Sequence, residues 1–165
     1  MHLFLHNMKR SLRRRRHEHR TDYKARCTLL SSGKPRIIVR KTNRYIIVQA
    51  VTTEGAQDRV LAGTTSKVLL DKGWPSMHAG SLKSLPAAYL VGVLLGKQLK
   101  GKVEEAVLDL GMHRNIHKSR VYAVLKGLID SGIHVPHSDE VLPTESDFER
   151  ATRVRDIFKK MKEKF

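Results

Sequence analysis

Fourteen of the first 45 residues are lysine or arginine, and only Glu18 and Asp22 among them are acidic, a net of +12. The first thirty also lack any sustained apolar period, so they cannot be assigned to a core. They read as an arm, partly helical around residues 13–26 and ordered only when bound, and the fold must be built from residue 31 onward. The other 120 residues hold 18 basic and 14 acidic side chains, an ordinary +4. A surface so lopsided repels itself and calls for a polyanion, a nucleic acid or an anionic membrane, whose footprint begins at the N-terminus.

The chain has 165 residues, 18.8 kDa and a net charge of +16, and its 40% hydrophobic content is enough for one ordinary domain with a real core. Cys27 is the single cysteine, which excludes an intramolecular disulfide and a cysteine-based zinc site and suits a reducing cytosol. The apolar start, Met1-His-Leu-Phe-Leu5, is too short for a secretory signal and precedes the basic cluster instead of following it. Residues 87–95 form the longest apolar run and fall well short of a bilayer span. An intracellular, soluble protein is expected. Residues 1–7 differ in character from the basic run after them, so Met8 is an alternative start.

Two β-branched runs, Arg36-Ile-Ile-Val-Arg-Lys41 and Tyr45-Ile-Ile-Val-Gln-Ala-Val51, flank a short turn containing Asn43 and predict a β-hairpin. A second turn over residues 54–58 leads to a third strand, Arg59-Val-Leu-Ala-Gly-Thr-Thr65. Ser66 is placed to cap a short helix through Leu70, and residues 74–83 read as a loop in which Trp74 is a core anchor. Ser84 and Pro86 start a buried helix over residues 87–100. In it Ala88, Gly92 and Gly96 form a smooth stripe, expected to press onto the sheet. Residues 103–110 suit a fourth strand, reached by a crossover and so parallel to its neighbour. Ser119 caps another helix with an apolar face at Val121, Val124, Leu125, Leu128 and Ile129, and Gly132 stops it. Residues 144–165 predict a charged helical tail with a thin apolar face at Val154, Ile157, Phe158 and Met161. The expected architecture is α/β: an arm over residues 1–30, a single mixed-sheet domain with packed helices over 31–143, and a tail over 144–165.

Three basic segments could carry function. The first is Arg13, Arg14, Arg15 and Arg16, flanked by Lys9, Arg10 and Arg20. Guanidinium forks grip phosphate oxygens in pairs and stack on bases, which suits RNA. The second is the hairpin tip, where Arg40, Lys41, Asn43, Arg44 and Tyr45 share one projecting turn. The third runs from His113 to Arg120, a basic loop entering a helix N-terminus where a phosphate would be favoured. Candidate RNA contacts are thus Arg13, Arg14, Arg15, Arg16, Arg20, Tyr23, Lys24 and Arg26 in the arm, and Arg36, Arg40, Lys41, Asn43, Arg44 and Tyr45 in the hairpin. Lys67 and then His113, Arg114, His117, Lys118 and Arg120 complete the set. The pairs His17/His19 and His113/His117 have no acidic or cysteine companion, so no metal site is assigned. Asp71, Asp109 and Asp130 are scattered, and no nucleotide-binding or hydrolase motif is present, so no catalytic residue is assigned either. Asp109 is expected to make local hydrogen bonds at a strand end. Phosphate binding alone leaves a DNA-binding module open, and Asp109 keeps a metal-dependent nuclease in consideration.

The order of motifs narrows this. Arg13-Arg-Arg-Arg16, Thr21-Asp-Tyr23, Pro35-Arg-Ile-Ile-Val-Arg-Lys-Thr-Asn43 and Lys72-Gly-Trp74 are followed by Leu85-Pro-Ala-Ala-Tyr-Leu-Val-Gly-Val-Leu-Leu-Gly-Lys97. Ala106-Val-Leu-Asp-Leu-Gly111, Leu125-Lys-Gly-Leu-Ile-Asp130 and Val135-Pro-His-Ser-Asp-Glu-Val-Leu-Pro143 complete the series. Together they resemble the large-subunit ribosomal protein eighteen family in its archaeal/eukaryotic form, over residues 13–143. The resemblance implies a ribonuclease-H-like α/β fold without nuclease activity and without a cofactor. It also implies binding to 5S rRNA in the central protuberance of the large ribosomal subunit, beside large-subunit (23S-type) rRNA and neighbouring ribosomal proteins. The family's RNA contacts map onto Arg13 to Arg16, Tyr23 and the 40–44 turn. Residues 1–12 have no counterpart, and the tail after Pro143 is shorter than in many relatives.

Overall fold

The hairpin expected from the two β-branched runs is the centre of the sheet in the computed structural model, which describes residues 11–55 and 57–165. Strand β1 (Arg36–Lys41) pairs antiparallel with β2 (Ile46–Glu54), which pairs antiparallel with β3 (Gln57–Thr65). Thr42 closes the first turn: its Oγ1 accepts from the Tyr45 N–H at 3.0 Å and donates to the Tyr45 carbonyl at 2.7 Å. Gly55, at φ +61°, makes the second turn, a conformation that costs other residues energy. The fourth strand, β4 (Val107–Asp109), is parallel to β1, giving the order β3-β2-β1-β4. It is shorter than the expected 103–110 strand. Residues 104–106 hydrogen-bond instead with His134, and the Val103 N–H still belongs to the last turn of the preceding helix.

Between β3 and β4 the chain crosses the sheet through α3 (Val68–Asp71), a 3-10 helix (Ser76–Ser81) in the expected loop, and α4 (Leu85–Leu99). Ser84 caps α4 by accepting from the Ala87 N–H at 3.4 Å, as its position before Pro86 predicts. Ser66 does not cap α3. Its Oγ accepts from the Ile46 N–H at 3.1 Å and so joins the end of β3 to the start of β2. Trp74 is 2% exposed and donates from Nε1 to the His78 carbonyl, a core anchor as expected.

Helix α4 is buried on most sides, and α5 (Arg120–Asp130) lies across it. Here one expectation fails. The glycine stripe of α4 faces α5, not the sheet: a Cβ on Gly92 would stand 2.2 Å from the Val124 carbonyl oxygen, and one on Gly127 would stand 2.2 Å from that of Tyr89. Two glycines, one per helix, let the backbones touch.

The C-terminal residues fold onto the same layer through α6 (Glu145–Glu149), which has a Thr144/Asp147 capping box, and α7 (Arg155–Lys164). Phe148 and Phe158 stack at 5.2 Å between centroids, and both meet the Tyr89 ring edge-on. Val154, Phe158 and Met161 are buried and Ile157 partly so, the thin apolar face read from the sequence.

The arm is partly helical around residues 13–26, as expected, in two separate pieces. A single turn, α1 (Arg14–His17), breaks where His19 takes φ +52°, and α2 (Tyr23–Ser31) then starts at Asp22, whose carboxylate accepts from the Lys24 and Ala25 N–H groups. Neither helix buries a residue. No described helix is long and apolar enough to cross a membrane.

Candidate nucleic-acid interface

The topology sends the C-terminal ends of β1, β3 and β4 to one end of the sheet, and the N-termini of α4 and α5 arrive there as well. The hairpin turn, Lys67 and the 110–120 segment therefore lie at the same end of the sheet although far apart in sequence; the Lys41 N–H donates to His113 Nε2 across a separation of 72 residues. Lys41, Ser84, Arg114, Lys118 and Arg120 line one hollow of about 620 Å³ there. The arm closes the arrangement: Arg15, Arg20 and Lys24 share a groove of about 690 Å³ with Arg40 and His113. The three basic segments thus form one rim.

Not every cation reaches it. Arg36, expected to touch RNA, is 1% exposed. Strand alternation puts it on the outer face of β1, and two carboxylates draw it in. Its Nη1 donates to Asp109 Oδ2 at 3.1 Å, and its Nη2 donates to Asp58 Oδ1 at 2.8 Å and Thr53 Oγ1 at 3.2 Å. Arg40 is folded back along the sheet, donating to the Val39 and Asp109 carbonyls and to Asp109 Oδ1, with a side chain 39% exposed. Gly111 makes room for it, since a Cβ there would stand 2.7 Å from the guanidinium carbon. Tyr45 packs partly against the core. The projecting tip is therefore Lys41, Asn43 and Arg44, all exposed, instead of five residues.

In the arm Arg13, Arg14, Arg15, Arg16, Arg20 and Lys24 are exposed, whereas Tyr23 is half-buried with the Arg13 guanidinium 4.8 Å from its ring centroid. Arg26 is bound to Asp58 Oδ2 at 2.7 Å. Lys9 and Arg10 lie outside the described residues. Arg114, His117 and Lys118 are exposed, and Arg120 is half-buried. Ser119 occupies the N-cap position of α5, but its side chain makes no capping bond, and its Oγ is buried without a partner.

Asp109 is a structural carboxylate, as expected: it takes Arg36, Arg40 and the Gly111 N–H. Asp130 instead accepts from the Tyr89 hydroxyl at 2.7 Å. Among the described residues no group of three His, Cys, Asp or Glu side chains is placed to hold a metal ion. Asp58, which no sequence motif singles out, is the other organiser of this face. Burial pushes its carboxyl up, but hydrogen bonds from Thr53 and Arg36 and the charges of Arg36 and Arg26 outweigh that and hold it below its ordinary value. Nothing local in Gln57-Asp-Arg59 marks it, because its partners lie on other strands and on α2.

His113 titrates the rim. Burial, then the charges of Arg40 and Lys41, push its imidazole down from the usual histidine value, and the neutral ring accepts the Lys41 N–H. A depressed histidine stabilises the fold fully above its unfolded value of about 6.5, and the benefit is lost as pH falls from there through the folded value. We expect the melting temperature to drop between about pH 7.5 and 5, and His113→Gln to make that drop smaller. Equal drops in both proteins would show that this contact does not sense pH.

A mixed α/β domain whose strand ends, helix N-termini and arm set their cations along one rim presents a basic surface suited to a polyanion. The family described as "Ribosomal large subunit proteins 60S L5, and 50S L18" matches residues 7–105 and 100–138, so the match begins at residue 7, inside the segment expected to have no counterpart. The chain is 48% identical over 151 residues to the large ribosomal subunit protein uL18 of Korarchaeum cryptofilum, covering 91% of this chain and 75% of that one. It is 45% identical to the uL18 protein of Methanospirillum hungatei and 48% to that of Methanoculleus marisnigri, each over 133 residues, 80% of this chain and 74% of the relative. The chain belongs to this family of large-subunit ribosomal proteins, structural constituents of the ribosome and not enzymes.

Proposed function

We propose that this protein binds 5S rRNA and helps attach it to the large-subunit rRNA in the central protuberance, beside neighbouring ribosomal proteins. The observation that carries the reading is the joining of three basic segments into one rim, in a chain whose family is ribosomal. Residues 1–30 act as the arm, 31–143 as the RNA-binding domain, and 144–165 as a helical tail. The arm supplies phosphate contacts through Arg13, Arg14, Arg15, Arg16, Arg20 and Lys24. Specificity comes from the folded end: Lys41, Asn43 and Arg44 at the hairpin tip, Lys67, and Arg114, His117, Lys118 and Arg120 beside α5. Phosphate contacts fix register without reading identity, so a run of arginines alone would hold any RNA.

The test is a salt titration of binding to 5S rRNA, to an unrelated RNA of equal length and to duplex DNA. Stronger binding to 5S rRNA supports the reading, and equal binding to all three rejects it. Replacing Arg13, Arg14, Arg15 and Arg16 with alanine should weaken 5S binding roughly 10²-fold near physiological salt. The slope of log affinity against log salt should fall by about 0.7–0.9 for each phosphate that the variant no longer neutralises. Because α1 buries nothing, the melting temperature should stay put. A loss of folding would show that the arm is structural.

A further inference from the structure

Asp58 sits where the arm meets the sheet. One oxygen accepts from Arg36 Nη2 at 2.8 Å and Thr53 Oγ1 at 2.7 Å, and the other accepts from Arg26 Nη2 at 2.7 Å. On one side is the interior, since Arg36 is 1% exposed and held beyond by Asp109. On the other side is α2, none of whose residues is fully buried; Tyr23, Leu29 and Leu30 are half-buried, so apolar packing holds it only in part. Among the described residues, Arg26 to Asp58 is the one side-chain hydrogen bond between α2 and the sheet. Upstream, Arg13 lies over Tyr23, and Arg15 Nε donates to Thr21 Oγ1 at 2.9 Å. A continuous line of contacts therefore runs from the arginine run through α2 and Asp58 to a buried arginine.

We propose that Asp58 is a positioning residue for RNA binding, which docks α2 so that the arginine run and the strand ends face one RNA. The inference rests on the RNA-binding reading above and goes further, giving a carboxylate a favourable part in holding a polyanion. A lone carboxylate on such a face would repel phosphates. The charge of Asp58 is already matched by two guanidiniums, so its removal relieves little repulsion. What its removal does change is the arm: four arginines on an undocked segment must be ordered at the moment of binding, and that entropy comes out of the affinity.

Asp58→Asn, Arg26→Gln and the double variant are titrated with 5S rRNA and with an unrelated RNA of equal length across salt, alongside thermal melts and amide hydrogen exchange of residues 23–31. Asp58→Asn should bind 5S rRNA roughly tenfold more weakly with a shallower salt slope, although its net charge is more positive. Its α2 amides should exchange faster, and the double variant should lose little beyond the worse single one. Unchanged or tighter binding by Asp58→Asn, or fully additive losses, would overturn the proposal. If Asp58→Asn fails to fold because Arg36 is left short of a partner, Arg26→Gln decides instead, read by binding and by exchange of the α2 amides together. Weaker binding with faster α2 exchange supports positioning, and unchanged binding, or weaker binding with unchanged exchange, rejects it. Equal binding of both RNAs by the wild type would remove the 5S reading, while the comparison of variant with wild type, made on either RNA, would still decide this one.

Discussion

Asp109→Ala should destabilise this protein by about 3–5 kcal/mol, the usual cost of removing one partner of a buried ion pair. The Asp109 carboxylate takes the buried Arg36 guanidinium, the folded-back Arg40 and the Gly111 N–H at 2.8 Å. Without it, Arg36 keeps only Asp58 and Thr53 inside a region that excludes water. The loss is a large share of the roughly 5–15 kcal/mol by which a domain is stable. In a chain of this size each kcal/mol corresponds to about 2–4 °C in melting temperature, so a calorimetric drop of roughly 10 °C is expected. Asp109→Asn combined with Arg36→Met should cost less than Asp109→Ala alone, since it removes both charges and leaves an acceptor for Gly111. A loss below about 1 kcal/mol in Asp109→Ala would mean that Asp58 alone satisfies Arg36.

Gly92→Ala should destabilise by about 2–4 kcal/mol, even though alanine gains about 1 kcal/mol of helix propensity. The added methyl would stand 2.2 Å from the Val124 carbonyl oxygen and 3.0 Å from its carbon, and both are backbone. The clash cannot be relieved by a rotamer change. It can be relieved only by moving α5 away from α4, which opens the largest helix contact in the molecule. Gly127→Ala meets the Tyr89 carbonyl oxygen at the same distance and should do the same. Gly96 differs, because its obstacle is the Ser131 side chain, at 1.7 Å from Oγ and 2.7 Å from Cβ. Ser131→Gly should therefore rescue Gly96→Ala, and no side-chain change at position 124 should rescue Gly92→Ala. Urea unfolding of these variants beside the wild type tests this; a Gly92→Ala protein as stable as the wild type would contradict the close crossing.

These two sites also mark where the sequence stopped being legible. The stripe of Gly92 and Gly96 announces a close contact, because only missing side chains allow one, but it does not name the other surface. The partner proved to be α5, whose own Gly127 gives no periodic signal. Strand alternation likewise places Arg36 and Arg40 on one face of β1. Whether that face meets solvent or a carboxylate depends on Asp109, 73 and 69 residues away.

The charge asymmetry of the N-terminal residues survives folding in changed form. Residue type and local period by themselves determined the hairpin, the buried helix with its Ser84 cap, the parallel return of β4, the apolar stripe of the C-terminal segment and the excess of cations at the N-terminus. The hairpin, the cap and the apolar stripe are each encoded within a few residues, by β-branching, capping chemistry or periodicity, and the parallel return of β4 follows from the crossover that precedes it. Only the tertiary structure decided which cations are free to meet a phosphate. A guanidinium's fate is set by the charges that folding brings within hydrogen-bonding reach of it. Asp58 and Asp109 take Arg36, Arg40 and Arg26 out of the free set, while Arg13 to Arg16 in the arm and Lys41 and Arg44 at the hairpin tip stay exposed.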